Sequence, residues 1–223
     1  MSGRDANKGN CAQPCRWNYR LVEEKRPGEY FDVFENEHGT EILSSKDLCL
    51  IDKLPEYVKA GVNAFKIEGR MKSIYYVANV TRIYKAALET IRSGGDFNAA
   101  LPSYLEELDL VSHRPFTDDL FNEFKGPFEP IPYVTKAVYY GYVDSTDAGG
   151  LSNVKVGNPF RPGDELEVII PPAGAKIMHD KVQAIEIFEN GSATDMARPD
   201  RTVQVRFNSR PADGAILRKR SNQ

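Results

Sequence analysis

Three cysteines are the side chains best placed to do chemistry. Cys11 and Cys15 sit four positions apart in Gly9-Asn10-Cys11-Ala12-Gln13-Pro14-Cys15-Arg16-Trp17, and Cys49 ends Ser45-Lys46-Asp47-Leu48-Cys49. Thiolates bind zinc or iron–sulfur clusters, and a full site usually needs four ligands. This chain supplies three cysteines at most, so such a site is either open or completed from elsewhere. Arg16 follows the pair, and a cation beside thiolates lowers their pKa and favours the metal-binding form. Three readings stand side by side. One is a cluster. One is zinc, against which counts the lack of a histidine at a finger-like offset. The third is two unrelated buried thiols, a common place for free cysteine. Cys49 precedes Leu50-Ile51 and suits a core as well as it suits ligation.

The second constellation is Phe65-Lys66-Ile67-Glu68-Gly69-Arg70-Met71-Lys72-Ser73. Lys66, Glu68, Arg70 and Lys72 crowd a stretch between an expected strand and an expected helix. In α/β folds the carboxyl end of a strand is where ligands bind, and a helix N-terminus favours an anion. Arg70 can hold a carboxylate or phosphate through two hydrogen bonds, and Glu68 can orient it or act as a base. The competing reading is a solvated charge run with local ion pairs. Tyr75 and Tyr76 could flank a ring-bearing ligand, although packing on a helix face is the commoner job.

His38, His113 and His179 are scattered, so no Ser/His/Asp or Cys/His arrangement can be argued. There is no Gly-rich phosphate loop. Arg198, Arg201, Arg206, Arg210 and the run Arg218-Lys219-Arg220 lie in the second half. They suit an RNA-binding barrel edge or ordinary charge that protects a strand edge from aggregation.

The elements that would position these groups follow from pattern. Residues 29–44 alternate around Glu37-His38-Gly39 and read as a two-stranded ribbon. A helix follows, with Asp52 as cap, Pro55 in the first turn, Leu54, Tyr57 and Val58 on one face, and Gly61 as its stop. Asn63–Ile67 reads as a strand. A long helix runs from the Ser73 cap to Gly94-Gly95, with Tyr76, Val80, Ile83, Tyr84 and Ala87 at helical spacing, and a short acidic helix covers 103–110. Residues 111–132 carry Pro115, Gly126, Pro127, Pro130 and Pro132 and read as a linker. Strands are then expected at Val134–Val143, Glu165–Ile170, Lys181–Phe188 and Thr202–Phe207, separated by glycine turns, as in a small β-barrel.

The chain has 223 residues, a net charge of −3 and an ordinary globular composition. That excludes a global basic signature for nucleic acid, though not a local patch. No run reaches the roughly 18 apolar residues of a membrane span, and the polar start is not a signal peptide. A cytoplasmic, reducing setting without membrane contact is the expectation, which argues against a disulfide framework. A closed β/α barrel takes about 250 residues. Residues 49–110 supply only one strand and a few helices, so they read as a piece of a larger sheet.

The run Gly3–Trp17, with Ser45–Cys49, Phe65–Ser73, Tyr75-Tyr76-Val77 and Ser112-His113-Arg114-Pro115-Phe116-Thr117, closely resembles the collagenase-like peptidase family, family thirty-two of the peptidases of unassigned catalytic type. The resemblance covers nearly the whole chain. It departs at Asp118-Asp119-Leu120-Phe121, where the family has an aromatic-glycine sequence. The resemblance implies α/β plus all-β architecture: a partial TIM-like β/α barrel segment over 1–125, followed by a small C-terminal β-barrel over 133–223. It implies an iron–sulfur cluster, of the 4Fe-4S kind and incomplete in this chain. Cys11 matches the most dependable ligand position, Cys15 a second cysteine, and Cys49 a family cysteine of unsettled role.

Two further family cysteines fall before Met1, so the chain is expected to be a C-terminal portion whose N-terminal part is a partner. The branch nearest this motif set implies prephenate-dependent hydroxylation of the wobble uridine of tRNA, with prephenate as co-substrate and tRNA as partner. Lys66, Glu68, Arg70 and Lys72 would then hold the anionic substrate or the RNA. Other members are named as collagen-degrading proteases, so a peptidase is the alternative. A non-catalytic RNA-binding remnant is the third reading.

Overall fold

The computed structural model describes residues 46–118, 133–170, 176–177 and 179–221, and, as backbone, 34–36 and 39–41. Cys11, Cys15, His38 and most of the expected linker lie outside them. The described residues fall into two compact units: those up to Leu50 with those of His113–Val134, and those of Ile51–Ser112 with those from Thr135 onward.

In the first unit, β1 (Phe34–Asn36) and β2 (Gly39–Glu41) pair antiparallel with Asn36 opposite Gly39. The expected ribbon is there. A second pairing has no counterpart in the sequence pattern: β3 (Asp47–Leu48) runs parallel to β4 (Phe116–Thr117). Local periodicity carries no information about two dipeptides this far apart.

The second unit begins with a 3₁₀ turn at Ile51–Lys53 that leads into α1 (Leu54–Lys59). Lys53, not Asp52, takes the cap position, because the turn starts the helical path early. Leu54 is buried, Tyr57 is half-buried, and Val58 is exposed rather than on a packed face. Gly61 ends the element at φ +87°, a backbone conformation glycine adopts without strain.

The expected strand Asn63–Ile67 does not form. Among the described residues, 62–69 take neither helix nor strand form and pair with no sheet, and no TIM-like barrel strand is seen. A strand is defined by its ladder, and this segment has none.

The long helix α2 (Ile74–Arg92) starts where expected: the Ser73 Oγ accepts the Tyr76 N–H at 3.2 Å. Its packed stripe is Tyr75, Asn79, Val80, Ile83, Ala86 and Ala87, so the core face includes Tyr75 while Tyr76 is half-buried. Helix α3 (Phe97–Leu108) starts earlier than the expected 103, because Asp96 Oδ1 accepts the Ala99 N–H at 3.0 Å. Pro102 lies inside it. Tyr104 and Thr90 join the two helices through a buried 2.6 Å hydroxyl contact.

The remaining strands are β5 (Ala137–Thr146), β6 (Leu151–Val156), β7 (Glu165–Ile169), β8 (His179–Glu189), β9 (Ser192–Thr194), β10 (Thr202–Phe207) and β11 (Ile216–Arg220). Their order is β10-β6-β5-β11-β7-β8, and β10 pairs again with β8, so six strands close a barrel with β9 as an added hairpin arm. All these pairings are antiparallel. Closure removes the sheet edges that would invite aggregation. Alternate residues such as Val143, Val154, Leu166, Val205 and Leu217 fill the interior. At Gly141, φ is +151° and a Cβ would lie 2.4 Å from the Lys155 carbonyl oxygen, so a side chain there collides with backbone across the β5–β6 pair.

The helices are fixed to the barrel by buried charge. Arg218 on β11 has a fully buried side chain. Its Nη1 and Nη2 donate to Glu107 Oε2 and Oε1 of α3 at 2.9 and 2.8 Å, its Nε to Glu167 Oε2 of β7 at 2.8 Å, and its Nη1 also to the Tyr75 hydroxyl of α2 at 3.2 Å. Arg82 Nη2 reaches Glu107 Oε2 at 2.6 Å, and Arg220 bridges Glu167 and Glu106 at 2.9 and 2.8 Å. Asn79 Nδ2 donates to the Glu107 carbonyl at 2.7 Å. Three arginines face three glutamates, so the cluster is neutral overall. Lys136 of the strand approach and Asp109 beyond α3 add an ion pair.

Candidate functional site

Tyr75 anchors the first turn of α2 to Arg218, and that turn presents the charged segment. In 65–70 the side chains alternate: Phe65, Ile67 and Gly69 are half-buried, while Lys66, Glu68 and Arg70 are exposed. Phe65 meets the Tyr57 ring of α1 edge-on at 6.5 Å. Gly69 lies so close to α2 that a Cβ would sit 2.7 Å from Val77 Cγ2. The charged side chains therefore occupy the face away from the helices.

Lys66 Nζ pairs with Glu68 at 2.8 Å, with both side chains well exposed. Glu68 thus has a lysine partner. Lys72 Nζ donates to the Ser112 carbonyl at 3.3 Å and stands 4.9 Å over the Tyr76 ring. Lys72 N–H closes a turn on the Gly69 carbonyl at 2.9 Å. No acidic residue occupies the first turn of α2, which leaves the positive end of the helix dipole uncompensated from within the helix. Lys66, Arg70 and Lys72 thus lie within eight residues of the start of α2, with Glu68 paired to Lys66.

Cys49 lies in the first unit. Its N–H donates to the Thr117 carbonyl at 2.8 Å, which extends the β3–β4 pairing by one bond, and the residue is half-buried. Asp47 Oδ1 accepts from both Nε and Nη2 of Arg114 at 3.2 and 3.1 Å, and Asp47 Oδ2 accepts the Arg114 N–H at 3.2 Å. His113 is buried, stacks on Phe116 at 4.0 Å, and its Nδ1 lies 2.7 Å from the Arg114 carbonyl. A carbonyl only accepts, so Nδ1 carries the proton. Residues 46–49 and 113–117 of the two motif segments, distant in sequence, are thus one patch. Sequence reading placed His113 alone. The signal that could have joined them is the opposite charge of Asp47 and Arg114. Among the described residues no three His, Cys, Asp or Glu side chains form a metal-binding group, and Cys11 and Cys15 are not among those residues.

The basic residues of the barrel do not stand as an open cationic face. Arg198 and Arg201 lie 4.0 and 3.8 Å from Glu189, and Arg206 binds Glu186 at 2.9 Å. Arg210 donates to the Thr146 carbonyl at 2.9 Å. Arg218, read from sequence as part of a basic tail, is a core residue, because β11 runs through the middle of the sheet and Glu107 and Glu167 neutralise it. These pairings favour locally neutralised surface charge over a nucleic-acid footprint at those positions.

Burial sets the titration of the cluster. Desolvation alone would raise the Glu107 carboxyl, but hydrogen bonds and charge from Arg218, with Arg82 and Arg220, hold it below the usual carboxylate range. Burial opposes the charge on Arg218, yet Glu107 and Tyr75 raise its pKa further. Burial pushes the Tyr75 phenol up, and Arg218 only partly offsets that. Burial also lowers Arg82 against the pull of Glu107. Every charge here is answered by a neighbour, which marks a structural clamp.

Residues 1–127 match the sequence profile described as peptidase family U32. A relative from Escherichia coli, tRNA hydroxylation protein P, is 30% identical over 215 residues, covering 77% of this chain and 47% of its own length. A collagenase from Porphyromonas gingivalis is 40% identical over 116 residues, 52% of this chain and 27% of that protein. The C-terminal domain of a U32 peptidase from Geobacillus thermoleovorans, solved as a crystal structure, is 29% identical, covers 37% of this chain and 99% of that domain, and has a TM-score of 0.32. The chain spans about half the length of the curated relatives it matches, 47% and 52% of the first two. No helix among the described residues is long and apolar enough to cross a membrane.

Proposed function

The chain belongs to peptidase family U32, and we propose that it is one portion of a cytoplasmic iron–sulfur enzyme that hydroxylates the wobble uridine of tRNA. The observation that carries this reading is the 30% identity, over 77% of the chain, to a relative named for tRNA hydroxylation. The three cysteines are of the donor type that iron–sulfur clusters take. Cys11 and Cys15 would be ligands, with Cys49, which is half-buried, a third. When bound, the cluster would supply electron transfer or substrate activation.

Residues of the chain itself would bind and orient. Arg70 would grip a carboxylate of a co-substrate such as prephenate, or an RNA phosphate, while Lys66 and Lys72 would add positive potential at the end of α2. Glu68 would keep Lys66 turned toward that face through their 2.8 Å pair. The barrel would contribute its shape to tRNA contact more than free charge.

The test measures iron and acid-labile sulfide in anaerobically purified protein, together with the hydroxylated uridine in tRNA from cells that lack the family enzyme and carry this chain with the part it does not match. Cys11→Ala is expected to lower iron, sulfide and modified nucleoside together. Unchanged iron removes the ligand assignment, and unmodified tRNA with full iron removes the substrate assignment.

The resemblance to a collagenase supports a second reading, a peptidase acting on collagen-like or unfolded chains. The scatter of His38, His113 and His179 along the sequence weighs against it, because that chemistry needs a base beside its nucleophile. Gelatin cleavage that is lost on a point substitution would favour it.

A further inference from the structure

We propose that Asp47 and Arg114 are positioning residues for Cys49: their ion pair fixes the short strand pairing that carries the thiol, and so sets how Cys49 is presented to a cluster. The inference rests on the reading of Cys49 as a third cluster ligand.

Cys49 stands at the end of a pairing with little strength of its own. β3 and β4 share two residue pairs, Asp47 opposite Phe116 and Leu48 opposite Thr117. Parallel pairing is the weaker kind per residue, and two strands alone are marginal in water. Backbone bonds at its ends run from the Asp47 N–H to the Pro115 carbonyl at 3.1 Å and from the Cys49 N–H to the Thr117 carbonyl at 2.8 Å.

The side chains add what the backbone lacks. Asp47 accepts three hydrogen bonds from one residue. Nε and Nη2 of Arg114 donate to Oδ1 at 3.2 and 3.1 Å, and the Arg114 backbone N–H donates to Oδ2 at 3.2 Å. Hydrogen bonds between ionised partners are the strong kind. The Arg114 and Asp47 side chains are only 23% and 16% exposed, so water screens this pair less than one on the open surface. Arg114 is itself held in place. It precedes Pro115, which disfavours a helical backbone at Arg114. His113 beside it exchanges two backbone bonds with Val134, at 3.0 and 2.7 Å, and stacks on Phe116. Residues 113–116 are therefore a fixed rail, and Asp47 is clipped to it.

The clip reaches the thiol through strand geometry. Alternate residues along a strand share a face. Asp47 and Cys49 are half-buried, while Leu48 between them is 47% exposed. Fixing the Asp47 carboxylate thus fixes the face on which Cys49 projects, and the bond to Thr117 fixes its place along β4. A ligand held in advance has less freedom to lose on binding. The pair is neutral as a whole, so it places the thiol without adding net charge beside it.

The test compares Arg114→Met, Asp47→Asn and Arg114→Lys with Cys49→Ser. In the full chain without metal, hydrogen exchange at the Cys49 amide and iodoacetamide labelling of Cys49 should both quicken roughly tenfold in Arg114→Met, while the barrel amides of Val203 and Val205 keep their rates. The second measurement uses anaerobic protein assembled with the part of the family enzyme that this chain does not match. A ferrous chelator should strip iron roughly tenfold faster, or faster still, from Arg114→Met and Asp47→Asn than from the wild type. The reduction potential of the cluster should shift in both. Arg114→Lys, which keeps the charge but loses the fork, should fall between. Two results would overturn the proposal. One is exchange and labelling at Cys49 that do not change. The other is faster exchange and labelling with iron retention and potential as in the wild type, which makes the pair a brace and nothing more. Cys49→Ser separates this from the ligand reading. If that variant holds iron as firmly as the wild type, Cys49 is no ligand, and the proposal falls with that reading. If it loses iron while Arg114→Met does not, the positioning role alone fails.

Discussion

Glu107→Gln tests the clamp that holds α2 and α3 to the barrel. The substitution keeps size and shape but removes the negative charge that answers Arg218 at 2.8 and 2.9 Å and Arg82 at 2.6 Å. Arg218 would retain Glu167, whereas Arg82 would lose the carboxylate it faces and keep Asn79 Oδ1 at 2.9 Å. The side chains of Arg82, Glu107 and Arg218 are 4%, 6% and 0% exposed, so water cannot replace what is lost. Removing one partner of a buried pair costs about 3–5 kcal/mol, because the other charge remains buried and uncompensated.

For a unit of roughly 150 residues, each kcal/mol moves the midpoint by about 2–4 °C, so Tm should fall by roughly 6–20 °C. Urea unfolding followed by circular dichroism should show a lower midpoint with unchanged slope. A second variant, Arg218→Met, and the double variant complete a cycle. The double variant should be less destabilised than the sum of the singles, since neither charge is then left alone. A loss below about 1 kcal/mol for Glu107→Gln, the range of exposed pairs, would refute the reasoning.

Acid should weaken the same clamp. The folded Glu107 pKa lies below its ordinary 4.5, so its stabilisation is present above that pH and is lost as pH falls through the folded value. A stability–pH profile should therefore drop below about pH 4.5 in the wild type, and the drop should be shallower in Glu107→Gln. Tyr75 acts at the other end. Its folded pKa is raised above 10.0 by burial, so stability should fall as pH rises past 10, and Tyr75→Phe should flatten that limb. Gly141→Ala should cost about 1–3 kcal/mol by urea unfolding, because the new Cβ meets the Lys155 carbonyl at 2.4 Å in a left-handed backbone region. Lys181→Met should leave the urea midpoint unchanged, since its 2.7 Å pair with Glu165 is more than 60% exposed on both sides.

What the sequence determined by itself is local. Ser73 caps α2 and Gly61 ends α1 because cap hydrogen bonds and positive φ depend on one or two residues. Thr202–Phe207 forms the expected strand because its alternation is complete. The family is legible for the same reason: its motifs are short contiguous runs. Other features waited for the tertiary structure. The expected strand at 63–67 formed no ladder, since a strand needs neighbours that periodicity cannot supply.

Leu151–Val156 was hidden by Ser152, whose hydroxyl is buried but satisfied by Thr146 at 2.9 Å. Arg218-Lys219-Arg220 read as a basic tail; they lie in the strand Ile216–Arg220, paired with β5 and β7, and Arg218 is buried beside Glu107, 111 residues away in sequence. Asp47 and Arg114 meet across 67 positions for the same kind of reason. Charge in a sequence says only that a partner or water must answer it. Which of the two does so is decided by burial, and burial is a property of the packed chain.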